Sequence, residues 1–251
     1  MTHHAAAAPM SAHDHGHGHA SSVPRSPDYS DGVGHAGMPG MDMADDRPMA
    51  KLMLDQLEAF HDRHGDGQRW DLQGWYGGDI DKLWLRSEGE RRDRHLDDGS
   101  MELLWSHAVS PFWNTQLGMR HDLGPGPGRH WAAFGIEGLA PYFLDVEATL
   151  YVGTSGRTAA RVRVGYELLL TQRLILEPEL EANLYGKADP QRGHGAGWSD
   201  ASLELRLRYE ISRRFAPYAG LAWHRRFTTA ARAEDHAAGE RQWMVGVRIW
   251  L

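Results

Sequence analysis

From about residue 69 to its end, the chain alternates apolar and polar residues with a period of two. In LILEPELEANLY, Leu176, Pro178, Leu180, Ala182 and Leu184 point one way, while Glu177, Glu179, Glu181 and Asn183 point the other. SLELRLRYEI sets Leu203, Leu205, Leu207, Tyr209 and Ile211 against Glu204, Arg206, Arg208 and Glu210. Val162 and Val164 likewise oppose Arg161 and Arg163, and Trp243, Val245, Val247 and Ile249 oppose Arg248 and its neighbours. Successive strand side chains project to opposite faces, so each stretch predicts a strand with one apolar and one charged side. A soluble sandwich would bury the apolar side; a membrane barrel would turn it to lipid.

Three features favour the barrel. The predicted strands run to about 10–14 residues, closer to tilted membrane strands than to globular ones. Short turns near 110–112, 139–142, 170–173 and 211–217 alternate with longer polar loops at 89–99, 122–129, 186–200 and 228–240, the outer-membrane arrangement; only the hop at 153–156 breaks the rule. Aromatics gather near strand ends, among them Trp105, Phe112, Trp113, Trp131, Tyr142, Phe143, Tyr185, Phe215, Tyr218, Trp243 and Trp250, as interfacial girdles do. Ten strands are countable back from Leu251 to Lys82, and residues 69–79 supply an eleventh. Because bacterial single-chain barrels have even counts, about 10–12 strands are expected.

Upstream the pattern changes. Residues 48–61 predict one short helix: Asp46 can cap it, Pro48 suits its first turn, and Met49, Met53, Leu57 and Phe60 share a face. Residues 1–47 hold almost no branched aliphatics and are read as a disordered arm, too polar to offset its ordering entropy. The domains expected are therefore a His/Met-rich arm (1–47), a helix and linker (48–68), and an all-β, antiparallel transmembrane barrel (69–251).

Composition narrows the chemistry. The chain has no cysteine, which excludes disulfide scaffolds and thiolate metal sites. A formal net charge of -7 over 251 residues argues against a nucleic-acid partner. No apolar run reaches the roughly 18 residues of a spanning helix. The opening MTHHAAAAPM lacks the basic region and apolar core of a secretory signal.

The arm carries two clusters of metal ligands. HDHGHGH spaces His13, His15, His17 and His19 by two, with glycines between. MPGMDM offers Met38, Met41 and Met43, with His35 just upstream. These thioethers have no core to fill. Thioether sulfur is a soft ligand that selects Cu(I), and imidazole suits either copper state; the two together without a thiolate point to copper. In the barrel, His107, His121, His130, His194 and His224 fall near strand ends or in loops and are expected at the surface, with one or two as ligands at most. The Glu177, Glu179 and Glu181 ladder reads as a solvated lumen wall, as salt-bridge partners for Arg161, Arg163, Arg206 and Arg208, or as a cation path. Hydrolase and phosphate-binding motifs are absent; His107 and Ser110 are candidate pieces of a hydrolase without a diagnostic spacing.

WYGGDIDKLWLRSEGE (75–90), SPFWNTQLGMRHD (110–122), GIEGLAPYFLDVEATLYVG (135–153), LLLTQRLILEPELEANLYGKAD (168–189), LELRLRYEISRRFAPYAGLAWHRRF (203–227) and GVRIWL (246–251) occur in order. Together with the His/Met-rich leader they resemble the copper resistance protein B family. The resemblance implies an outer-membrane barrel of a Gram-negative bacterium, acting in copper tolerance beside a periplasmic multicopper oxidase. The reading is a copper-binding protein with its arm in the periplasm and its barrel in outer-membrane lipid, which sequesters copper or also exports it. Its alternatives are an outer-membrane hydrolase with an incidental His-rich tail and a soluble periplasmic metal-storage sandwich.

Overall fold

The computed structural model describes residues 48–227 and 239–251. These form one antiparallel sheet of β1 (Met49–Asp62), β2 (Gly65–Gly77), β3 (Asp81–Arg92), β4 (His95–Ser110), β5 (Trp113–Leu123), β6 (Arg129–Ala140), β7 (Leu144–Gly153), β8 (Thr158–Gly165), β9 (Leu168–Leu169), β10 (Leu174–Tyr185), β11 (Gly197–Tyr209), β12 (Phe215–Arg226) and β13 (Glu240–Trp250). β8 and β9 both pair with β10, and Tyr166 between them donates its N–H to the Pro178 carbonyl. They are two pieces of one wall strand, which makes a barrel of twelve strands. β13 pairs back on β1, with Phe60 opposite Met244 and Leu57 opposite Val247. Closure leaves the wall no free edge and overturns the sandwich alternative.

The twelfth strand is β1, where the sequence predicted a helix. Its Ala, Leu, Met, Lys, Gln and Glu residues are good helix formers, and a bulge between Leu54 and Gln56 breaks the period-two pattern. Past the bulge the alternation is regular: Gln56, Glu58, Phe60 and Asp62 are buried, and Leu57, Ala59 and His61 are exposed. Pairing on both sides supplies hydrogen bonds that a lone helix turn would have to form alone, and tertiary context overrides propensity. The barrel thus begins at Met49, ahead of the expected boundary at 69.

Burial is the inverse of a soluble protein. Leu52, Leu83, Leu103, Met119, Ile136, Leu150, Leu180, Leu203 and Val245 are exposed on the outer wall, while Arg86, Glu102, Arg161, Glu204, Arg206 and Arg208 are buried inside. The outer face is an apolar band suited to lipid. Two small apolar clusters also fill the inside, one of Phe60, Tyr218, Ala222 and Met244, the other of Leu104, Trp131, Ala133 and Tyr151. Aromatic rings lie over glycines on neighbouring strands: Phe60 over Gly67, Trp131 over Gly153, Tyr218 over Gly246. A Cβ added at Gly67 would fall 2.1 Å from the Phe60 ring, so the glycine leaves the space the ring occupies.

β1 enters and β13 leaves at the same end of the barrel, where Leu52 and Leu251 exchange backbone hydrogen bonds. The turns at this terminal end are short: 78–80, 111–112, 141–143, 170–173 and 210–214. The far end has the long connections at 186–196 and 227–239. Residues 89–99, expected as a loop, are instead strand on either side of a two-residue turn. Asp93 and Arg94 both take positive φ there, which suits the twist of a tight hairpin. Both faces of that hairpin are polar, which removed the alternation a strand usually shows. The terminal end carries the exposed aromatics Trp105, Phe112, Tyr142, Phe143 and Trp250. Trp131 and Tyr218, expected in the girdle, are buried inside.

Candidate functional site

Two places in the barrel concentrate chemistry: the lumen and the far rim. Strand alternation turns every second residue inward, so the charged half of each strand converges on the axis. Arg69 on β2 reaches Glu58 at 2.9 Å, Glu90 at 3.0 Å and Glu204 at 3.5 Å. Arg86 on β3 meets Glu137 at 2.7 Å and Glu147 at 2.8 Å. Arg206 pairs with Glu204, Glu58 and Glu179. Arg208 bonds Glu167 at 2.7 Å and Glu177 at 2.9 Å. The Glu177, Glu179 and Glu181 ladder is therefore held in salt bridges, one of the three roles its pattern allowed; Glu181 takes Arg163 at 2.8 Å.

Some of these bonds cross the lumen. Glu88 on β3 accepts from Arg161 at 2.9 Å and Arg163 at 3.2 Å on β8, five strands away in the sheet order. Arg161 also reaches Glu102 at 3.3 Å and Glu147 at 3.4 Å. Glu88 with its two arginines is a charged bar across the barrel. Asp71 stands directly opposite Glu88 in the β2–β3 register and is buried with no ion pair among the described residues. Several guanidiniums are each shared by two or three carboxylates, and Glu88, Glu147 and Glu204 are in turn each shared by two arginines.

At the far end the β10–β11 loop folds over its neighbours. Asp189 accepts from Arg129 at 2.8 and 3.2 Å, Lys187 donates to the Ser155 carbonyl at 3.3 Å, and Arg192 donates to the Leu123 carbonyl at 2.8 Å. The hydrogen bond from Arg129 holds the Asp189 carboxyl below the usual aspartate range. His194 stacks on Tyr185 with ring centroids 4.2 Å apart, and its burial pushes the imidazole pKa down.

The histidines are sorted more finely than the sequence allowed. His107 lies at the terminal end with Nδ1 2.8 Å from Asp81. Its backbone carbonyl accepts from the Thr115 hydroxyl at 3.4 Å. His224, expected at the surface, is partly exposed and faces inward, with Nε2 3.8 Å from Glu204. His121 and His130 are brought together: they are cross-strand partners with rings stacked at 4.3 Å. Nothing local in the sequence marks that pair, because only the β5–β6 register joins them. The predicted copper ligands His13, His15, His17, His19, His35, Met38, Met41 and Met43 lie outside the described residues. Among the described residues no group of three or more His, Asp or Glu side chains is arranged to hold a metal ion.

Comparison with known proteins agrees with this architecture. The family model described as Copper resistance protein B precursor (CopB) matches residues 48–251. The chain is 47% identical over 203 residues to the Copper resistance protein B homolog of Pseudomonas syringae pv. tomato, covering 80% of this chain and 69% of that one. It is 41% identical over 203 residues to Copper resistance protein B of Escherichia coli, with the same coverage. Among solved structures, the NanC porin shares the fold with a TM-score of 0.55 at 12% identity, covering 77% of this chain and 98% of its own. A twelve-stranded wall with an apolar outside and a charged inside, matched from its first strand to its last residue by that family model, places the chain in the copper resistance protein B family.

Proposed function

We propose that this protein is the outer-membrane copper-binding component of a copper-resistance system. Its N-terminal arm sequesters periplasmic copper, and its barrel anchors that arm in the membrane. Met38, Met41 and Met43 hold Cu(I); His13, His15, His17, His19 and His35 hold Cu(II) or share Cu(I). A multicopper oxidase in the same compartment is the partner that would exchange copper with the arm. Two features of the barrel support this reading. The chain enters β1 at the end with short turns, which in outer-membrane barrels is the periplasmic end. The bar from Glu88 to Arg161 and Arg163 favours an anchor over an open pore, and this is the observation on which the choice of sequestration over export rests.

Changing Met38, Met41 and Met43 together to Leu tests the assignment, because it keeps size and apolarity and removes the three sulfurs. Cu(I) affinity should fall and Cu(II) affinity should stay nearly intact. Equal loss of both, or of neither, contradicts the division of labour. The export reading draws on the acidic lumen. It requires that changing Glu177, Glu179 and Glu181 together to Gln lower copper efflux from cells; sequestration by the arm predicts no change.

A further inference from the structure

The outer wall at the far end carries a row of three soft or borderline donors, apart from the arm and the lumen network. Met101 on β4 is the register partner of His121 on β5, and His121 is the partner of His130 on β6. Three adjacent strands thus present a thioether and two imidazoles side by side. All three face outward: the buried neighbours Glu102, Asp122 and Trp131 point to the lumen, and Met101 is well exposed. The row lies where the apolar band of Leu103, Leu117, Met119 and Phe134 gives way to the polar rim.

We propose that His121, His130 and Met101 form a copper site on the outer rim of the barrel, separate from the arm and with a preference for Cu(I). The two rings are 4.3 Å apart with their planes 22° from parallel. Stacked rings carry their lone pairs side by side, so holding one ion at metal–imidazole bonds of about 2 Å turns each ring edge-on toward it. His121 Nδ1 donates to the Arg129 carbonyl at 3.2 Å. That bond fixes the tautomer and leaves Nε2 as the free lone pair, the outer-shell arrangement usual for a metal-ligating histidine. Gly128 keeps room for the ring, since a Cβ there would fall 2.9 Å from His121 Cε1. Two imidazoles alone would take several metals; the thioether beside them biases the site to Cu(I).

The test is histidine footprinting with diethylpyrocarbonate on the full chain in detergent, read residue by residue by mass spectrometry, with and without Cu(I). Cu(I) should lower labelling of His121 and His130 several-fold while His107, engaged with Asp81 at the other end, labels unchanged. Equal labelling of the pair in both conditions overturns the site. In His121→Gln, His130 should label as if copper were absent; persistent protection there overturns the chelate. Met101→Leu should weaken protection by Cu(I) and leave that by Cu(II) unchanged, and an equal effect on both overturns the role of the sulfur. Protection of His13 and His17 in the same spectra reports on the arm, so either site can fail without the other.

Discussion

On β11, Leu203 and Leu207 each leave 42% of their surface open, whereas Arg206 and Arg208, one position along, leave 4% and 3%. The outer wall is apolar and bare; the inner wall is ionic and packed. In water this would be an unstable arrangement, since exposing leucine and burying arginine both cost free energy. Lipid removes the first cost, because the bare leucines meet hydrocarbon. Shared carboxylates offset the second: each buried guanidinium has two or three partners within salt-bridge distance. The two faces therefore owe their stability to different things. The outer face depends on what surrounds the protein, and the inner face on the completeness of its own network.

The difference can be broken from the inside first. Arg161→Met takes the shared cation from Glu88, Glu102 and Glu147. Glu88 keeps Arg163, Glu102 keeps Arg120 and Glu147 keeps Arg86, so the loss should be about 3 kcal/mol, the low end for breaking a buried ion pair, measured by urea unfolding of the barrel in vesicles. A loss below about 1 kcal/mol would mean that water screens the lumen and that the bar is not a packed structure.

The outer face is tested by the opposite substitution. Leu180→Arg puts a charge on the bare side of β10 and should cost about 2–4 kcal/mol if the site lies near the bilayer midplane, less near an interface. A fluorophore on a cysteine at position 180 should be quenched by lipid-soluble agents and not by water-soluble ones. The reverse would place the band outside the membrane.

The smallest expected effect is at the far rim, where neither lipid nor the lumen network governs. The folded pKa of His194 is lowered, so its neutral form contributes stability that is fully present above the unfolded value of about 6.5 and is lost as pH falls through the folded value. Asp189 is also lowered, so the Arg129 latch persists above about pH 4 and opens only as pH falls through its depressed value. A spin label on a cysteine at position 196 should gain mobility in two steps on acidification, first from His194 and then from Asp189. Arg129→Ala should remove the second step.

These contrasts also explain how much of the molecule was legible in its sequence. β10 and β11 could be read because apolar residues alternate with Glu or Arg through 176–181 and 203–208, and the opposing faces differ strongly in hydropathy there. β1 could not: its bulge at Leu54–Gln56 shifts the phase, and its composition suits a helix as well as a strand. The hairpin across Asp93 and Arg94 was hidden because both its faces are polar. The Glu ladder and its arginines were recognisable as partners, but the bar at Glu88 joins strands far apart in the chain. The same holds for Met101, His121 and His130, whose meeting depends on the register of three strands. Candidate ligands that are neighbours along the chain, such as the arm's histidines and methionines, show as clusters in the sequence. Ligands that strand pairing brings together do not.

The central claim is that copper is held by residues 1–47 while the barrel anchors them and, at its rim, holds one further ion. The most direct measurement is the number of copper equivalents bound in detergent by the full chain and by a chain lacking residues 1–47, each checked for heat-modifiable gel mobility as a sign of an intact barrel. The shortened chain should migrate as a folded barrel and retain a single Cu(I), removed in turn by His121→Gln. A shortened chain that binds as much copper as the full one would contradict the account.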